Sequence, residues 1–396
     1  MPGTPAPDLG QADLGATPTK GTTFPLPMSP TNRSTSTTSS TLDVTQPSHA
    51  QPSSTMGAGF SLDQIPTLTG RNFVITGANT GIGWITAREI AKHGGNVILA
   101  CRSQEKAEAA IAKIQSELAA GGTPSSEIGT LEFLPLDLQS LKSCAKAART
   151  LRDRNHRIDV LINNAGIMAT PFALTKDGIE SQFGTNHMGH FVFTMLLLPL
   201  IPKDEDAKSR IVILSSFGHT LPYSTGLLEL DQIMVSQDGS SAKLEAVYAT
   251  WAAYGQSKLA NLLFAKYLAR HLPSSVQCFA VHPGYVDTDL GRNLSSSHGS
   301  IVGTVAKGLA AVVAKSPESG AITTLCAATH PKWELSKGIR WAPSGTYFVP
   351  EGKVGTPSKF AMDERLGDKL WEMSLEIVRR VLGEKVSEEI KGNIQA

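Results

Sequence analysis

The feature that most restricts how this chain can fold is a short apolar run, Phe73-Val74-Ile75, that ends in Thr76-Gly77-Ala78-Asn79-Thr80-Gly81-Ile82-Gly83 and continues into an amphipathic helical pattern over 82–93. An apolar strand that passes through glycines into a helix is half of a β–α–β crossover. The alternation repeats along the chain. Strands are predicted over 96–100, 131–136, 158–162, 210–214, 276–281 and 346–349, and helices over 104–120, 140–154, through 191–198 and over 250–270. Right-handed crossovers then give a parallel sheet covered by helices on both faces. The expectation is an α/β chain with a doubly wound parallel sheet in a single domain over 61–396, without internal repeats.

Residues 1–60 differ in texture. They are rich in Ser, Thr and Pro and poor in large apolar side chains, so they cannot bury enough surface to offset ordering entropy. A disordered tail is expected. A transit peptide is the rival reading, but the segment holds one arginine, Arg33, and no amphipathic repeat. With 36 basic and 35 acidic side chains, the chain has no field that would draw nucleic acid. No apolar stretch reaches the roughly 18–20 residues of a membrane span; peripheral membrane contact stays open. Cys101, Cys144, Cys278 and Cys326 lie far apart without metal or redox spacing. They read as reduced thiols of an intracellular, cytoplasmic protein.

The glycine turn implies a ligand. Gly77 permits a tight exit from the strand, Gly81 allows a pyrophosphate near the backbone, and Gly83 lets the helix pack closely, with Asn79, Thr80 and Ile82 completing the cradle. Beyond the second strand stands Arg102, 19 residues after Gly83, where an NAD site usually carries a carboxylate. A guanidinium suits a 2′-phosphate, so NADP(H) is the expected cofactor. Asp137 could accept from an adenine amine or cap the helix that starts near Ser140. Asn164, Ala165 and Gly166 close the fourth strand at its carboxyl end, where such sheets bind ligands.

Tyr254 and Lys258 lie four residues apart on one predicted helix, and hence on one face. Of the six tyrosines, only Tyr254 has a lysine at that spacing. A free phenol has a pKa of about 10, and a cation beside it lowers that value. Taken alone, the pair is also compatible with a half-buried tyrosine beside a solvated lysine. In chain order, TGANTGIG at 76–83, NNAG at 163–166, Asn186, Ser215-Ser216, YGQSK at 254–258 and HPGYVDT at 282–288 together resemble the short-chain dehydrogenase/reductase family. Within it, ILACRS at 98–103, NNAGIM at 163–168, QFGTNHMGHF at 182–191 and YGQSKLANLLF at 254–264 resemble the retinol dehydrogenase-like branch.

That resemblance implies a Rossmann fold and an enzyme that moves hydride between NADP(H) and a lipophilic alcohol or carbonyl. It implies Tyr254 as acid/base and Lys258 as the group that binds ribose hydroxyls and lowers the Tyr254 pKa. Ser216, rather than Ser215, would bind the substrate oxygen, and Asn186 would kink its helix and hold a water near the lysine. Pro283, Gly284, Val286 and Thr288 would lie by the nicotinamide. A catalytically silent redox sensor or scaffold of the same fold is the alternative. No metal site is expected: His187 and His190 read as helix residues beside the active site. The 37 residues between Ser216 and Tyr254 are expected to wall the substrate site, with 290–345 as an opposing lid. Leu366, Leu370, Met373 and Ile377 form a stripe read as a packing face, within the chain or in a homo-oligomer.

Overall fold

The computed structural model describes residues 59–204, 206, 208–284, 316–333 and 342–396; the expected tail up to residue 58 lies outside them. Eight strands form one sheet: β1 Asn72–Thr76, β2 Asn96–Cys101, β3 Leu131–Pro135, β4 Val160–Asn163, β5 Ser209–Leu214, β6 Val276–Val281, β7 Tyr347–Val349 and β8 Lys353–Val354. Their order is β3-β2-β1-β4-β5-β6-β7-β8. All neighbours pair in parallel except β7 and β8, which are antiparallel. The doubly wound parallel sheet expected from the sequence is present, with one short antiparallel strand added at its edge. β8 is two exposed residues, too short and too polar to leave an apolar signature.

The central strands β1, β4, β5 and β6 are buried almost throughout, as a parallel sheet covered on two faces requires. One face carries α1 Gly81–Lys92, α2 Gln104–Ala120 and the helix Pro317–Thr329; the other carries α3 Leu141–Asp153, the helix Gly189–Leu197 and the long helix Thr250–His271. With the short Ala242–Val247 counted, Gly189–Leu197 is α4, Ala242–Val247 α5, Thr250–His271 α6 and Pro317–Thr329 α7. Two further helices, α8 Glu364–Leu382 and α9 Glu384–Gln395, lie over α3, α4 and α6. Trp371 of α8 stacks on Tyr267 at 4.6 Å and meets Phe191 edge-on at 5.5 Å. Such aromatic pairs contribute about 0.5–1.5 kcal/mol each beyond their area.

One expectation is resolved here and two need correction. The stripe Leu366, Leu370, Met373 and Ile377 packs within the chain: Leu370, Met373 and Ile377 are buried in the core under α8. Of the stretch read as a lid, 317–329 is instead a core helix, with Ala321, Leu325, Cys326, Ala327 and Ala328 buried against the sheet. The core helix arises because small residues let it lie close to its neighbours. Finally, Phe60, assigned to the tail, is already buried, its ring 5.3 Å from that of His330.

Candidate active site

The chain reverses direction across the sheet between β1 and β4, and the carboxyl ends of five strands lie along one edge there. Register pairs Thr76 with Ala100, Asn163 with Ile213 and Leu214 with Val281. The segments leaving those strands therefore come to one edge: the glycine turn, Arg102, the Asn164–Gly166 segment, Ser216 and Pro283-Gly284.

The glycine turn fits a pyrophosphate. Gly77 and Gly81 have φ of 65° and 56°, a region that disfavours residues with a Cβ. A Cβ on Gly83 would stand 2.4 Å from Asn164 Nδ2 and 2.5 Å from the Gly77 carbonyl, so only glycine lets α1 approach. Thr80 at the N-cap of α1 makes no side-chain capping bond, and the first turn carries no acid. The N-terminal N–H groups and the partial positive charge there are left for an anion. Beneath the turn lies Cys101, read from the sequence only as one of four reduced thiols. Burial pushes its thiol up to about 11, while hydrogen bonds from Ala78, Asn79 and Gly77 act the other way.

Arg102 is exposed, at the end of β2, and makes no ion pair among the described residues. Asp137 is engaged: Lys176 Nζ donates to it at 2.7 Å and the Gln139 amide at 3.1 Å. Its carboxyl is held below the usual range despite partial burial, by Lys176, Gln139 and Arg102. The capping alternative for Asp137 fails, because Ser140 itself caps α3 by accepting from the Ser143 amide.

Asn164 braces the glycine turn with its side chain. Its amide donates to the Thr76 carbonyl at 2.8 Å and the Gly77 carbonyl at 3.4 Å. Both protons brace the turn and are not free for a ligand. Ala165 and Gly166 lie part-exposed at the cleft. A Cβ on Gly166 would stand 3.3 Å from Lys258 Nζ and 3.1 Å from Asn186 Oδ1, which puts the lysine and the asparagine beside this backbone.

Asn186 sits in a π-helical turn, Gly184–Met188, leading into α4, the kind of local insertion that collects at functional sites. Its Oδ1 accepts from the Ile167 amide, and its Nδ2 donates to the Ile167 carbonyl and to Ser257 Oγ, all at 2.8–2.9 Å. The kink inferred from the resemblance is present, and the side-chain amide protons are engaged by Ile167 and Ser257.

Ser216, Tyr254 and Lys258 converge. Ser216 Oγ accepts from the Gly218 amide at 3.1 Å, leaving its proton for another acceptor. His219 donates from Nδ1 to the Ser216 carbonyl at 2.7 Å, because its Nε2 accepts from the Ser358 amide. Ser215 turns the other way and donates to the Lys258 carbonyl at 2.8 Å. Tyr254 and Lys258 are both buried on α6, with Nζ 5.8 Å from the phenol ring centre and 3.1 Å from the Leu214 carbonyl. Burial pushes Tyr254 up to about 12, against a hydrogen bond from Ser216, and pushes Lys258 down to about 8. This corrects the expectation of an acidic phenol. Removing a phenolate from water costs more here than its neighbours return.

Gly284, with φ of 93°, follows Pro283 after β6 and donates to His282 Nδ1 at 3.2 Å. Val286 and Thr288 lie outside the described residues. Three large apolar side chains stand out around this cleft: Phe217 (61% exposed), Leu221 (58%) and Trp251 (40%). Phe217 follows Ser216, and the Trp251 ring is 6.3 Å from that of Tyr254. Part of the segment before Tyr254 ties down the loop after β4: Tyr248 donates to the Thr170 carbonyl at 2.6 Å and accepts from Gln182 at 3.0 Å. Among the described residues no group of three or more His, Cys, Asp or Glu could hold a metal, and no helix is long and apolar enough to cross a membrane.

Residues 71–226 match the family model of short chain dehydrogenases. The chain is 40% identical over 316 residues to human retinol dehydrogenase 13, covering 79% of this chain and 86% of that one. It is 36% identical over 330 residues to short-chain dehydrogenase/reductase drtF of Aspergillus calidoustus, covering 80% and 96%. A crystal structure of an uncharacterized protein from Mycobacterium paratuberculosis superposes with a TM-score of 0.59 at 34% identity, covering 81% of this chain and 98% of that one.

Proposed function

The chain belongs to the short-chain dehydrogenase/reductase family of oxidoreductases, and from that premise we propose that it interconverts a lipophilic carbonyl compound and its alcohol with NADP(H). One observation carries the reading: the Ser216 hydroxyl, the Tyr254 phenol and the Lys258 ammonium meet where the glycine turn and Gly166 open. When bound, the cofactor supplies or accepts the hydride. The chain's own groups handle the oxygen. Ser216 donates to it as negative charge develops, and Tyr254 gives it a proton. Lys258 keeps a positive charge beside the phenol as that proton leaves.

A phenol held near 12 is protonated throughout the physiological range, which suits the donor role in reduction. In oxidation Tyr254 must first lose its proton, so that direction gains as pH rises. Arg102, without an ion-pair partner among the described residues, supports a 2′-phosphate over a free ribose hydroxyl. The residues that would hold the rest of the cofactor are Gly77, Gly81 and Gly83 with the α1 N-terminus, Asp137, Gly166 and Lys258. The exposed Phe217, Leu221 and Trp251 support an apolar substrate, since a cluster of this kind is costly unless it binds something. Four buried free thiols support a reducing, intracellular setting.

The test is cofactor oxidation at 340 nm with NADPH and a series of aldehydes and ketones of increasing chain length. Turnover that improves with chain length and disappears in Tyr254→Phe is expected. Turnover retained in Tyr254→Phe removes the assigned acid, and no turnover with any member favours a sensor or scaffold.

A further inference from the structure

Thr76 ends β1, and its hydroxyl accepts two hydrogen bonds, from the Asn164 amide at 2.9 Å and the Ala165 amide at 3.0 Å. A hydroxyl has two lone pairs and one proton. Both lone pairs are used, so the proton is left for the remaining neighbour, His190 Nε2, at 2.8 Å. That nitrogen must then be bare. The ring proton therefore sits on Nδ1, which lies 2.8 Å from the Asn186 carbonyl. The imidazole is fully buried and neutral: burial, and then Lys258 nearby, push it down to about 4 against the bond to Asn186.

We propose that His190 is a positioning residue: held as the Nδ1–H tautomer, it ties the π-helical turn that carries Asn186 to the Thr76 hydroxyl, and through it to the Asn164–Ala165 backbone at the cofactor end of the cleft. The chain of bonds continues on the other side. Asn186 Nδ2 donates to Ser257 Oγ at 2.9 Å, and Ser257 donates to the Tyr254 carbonyl at 2.8 Å. One unbroken run of hydrogen bonds thus joins the end of β1, the segment after β4, the π-turn and the helix that presents Tyr254. His190 is the one side chain in it that can both accept from Thr76 and donate to Asn186. A buried link of this kind is sensitive to the loss of either partner, and removing Thr76 also takes the acceptor from the Asn164 and Ala165 amides.

The kinetic part of this inference rests on the function proposed above; the tautomer does not. The decisive measurement is a 15N-imidazole spectrum of the full chain without cofactor, between pH 5 and 8. The expected result is a neutral Nδ1–H tautomer that does not titrate in that range. An Nε2–H signal, or a ring that takes up a proton there, overturns the inference. The second measurement is a cycle of Thr76→Val, His190→Phe and the double variant, followed by melting temperature without cofactor, by NADPH affinity and by steady-state kinetics. His190→Phe is expected to weaken NADPH binding about tenfold and to lower kcat about tenfold, with KM for the carbonyl substrate within about twofold. Thr76→Val carries a loss of its own from the two unpaired backbone amides, and the double variant is expected to lose less than the sum of the two single losses. Strictly additive losses overturn the direct link. If the parent chain binds no NADPH, the proposed function fails, and the spectrum and the melting cycle still decide the role of His190. If His190→Phe does not fold, the spectrum decides alone.

Discussion

Gly218 lies flat against the ring of Tyr254: a Cβ built on it would stand 2.8 Å from Cε1 and 3.0 Å from Cδ1 of the phenol. The backbone that offers Ser216 its amide donor is thus also the surface that holds the ring. Gly218→Ala must push the phenol aside or displace the turn. A misplacement near 1 Å can cost about 10²-fold in rate, so a kcat loss of that order is expected. NADPH affinity, measured by fluorescence titration, should hold within about twofold, because Gly218 touches none of the residues assigned to the cofactor's phosphates. A variant with full kcat would show that the ring is free to move.

Ser216→Ala removes the donor to the developing oxyanion. The expected loss is about 10²–10³ in kcat, with cofactor affinity retained. Ser215→Ala should cost far less in rate, because its hydroxyl caps the Lys258 carbonyl and does not face the phenol. Equal losses from the two variants would contradict the assignment.

Lys258 gives the reduction a pH limit. Its ammonium, pushed down to about 8 by burial, loses its charge as pH rises through that value, while Tyr254 keeps its proton. A plot of kcat/KM for carbonyl reduction should therefore fall above about pH 8, since that parameter reports groups of the free enzyme. Lys258→Arg keeps a charge at all these pH values, and its residual activity should lack the limb.

The same burial has a consequence for stability. The folded-state pKa of Lys258 lies below the unfolded value of about 10.5. Between about pH 8 and 10.5 the unfolded chain binds the proton and the folded one does not, so this group makes stability rise with pH in that window. Below pH 8 the buried charge costs its full amount in the fold. Lys258→Met should therefore be inactive yet more stable at pH 7, by on the order of 1–3 kcal/mol, read as a melting temperature raised by a few degrees. A lower melting temperature would show that its bond to the Leu214 carbonyl outweighs desolvation.

Arg102→Ala tests the choice of cofactor. Loss of a charge-assisted contact to the 2′-phosphate should weaken NADPH binding about 10–100-fold and leave NADH binding within about twofold. Calorimetric titration with the two cofactors reads this directly, and equal losses would remove Arg102 from the phosphate site.

The strand–helix alternation and the strand ends were legible because buried parallel strands are short, continuous apolar runs, as at Val276–Val281. Tyr254 and Lys258 were legible from spacing, and Ser216 over Ser215 from the resemblance. The features that escaped have identifiable causes. α9 shows only Val386, Ile390 and Ile394 as large apolar buried residues in twelve, too sparse a pattern to extend the fold with. Gly218 and Gly255 were passed over because a glycine's role lies in what it touches: a Cβ on Gly255 would meet the Leu221 carbonyl oxygen at 2.3 Å, a contact no local pattern encodes. The tautomer of His190 depends on Thr76, 114 residues away. The phenol's acidity was misjudged because the spacing of Tyr254 and Lys258 reveals their proximity but not the depth at which both are buried.

The two helices Glu364–Leu382 and Glu384–Gln395 seal the outer sides of the helices that present Asn186 and Tyr254, with Ser374 reaching His187 at 3.0 Å and Asn393 reaching the Met195 carbonyl at 3.0 Å. Both are translated after every residue assigned to the chemistry. A nascent polypeptide can thus have synthesised its whole reactive centre while the apolar backs of those helices still lack their cover.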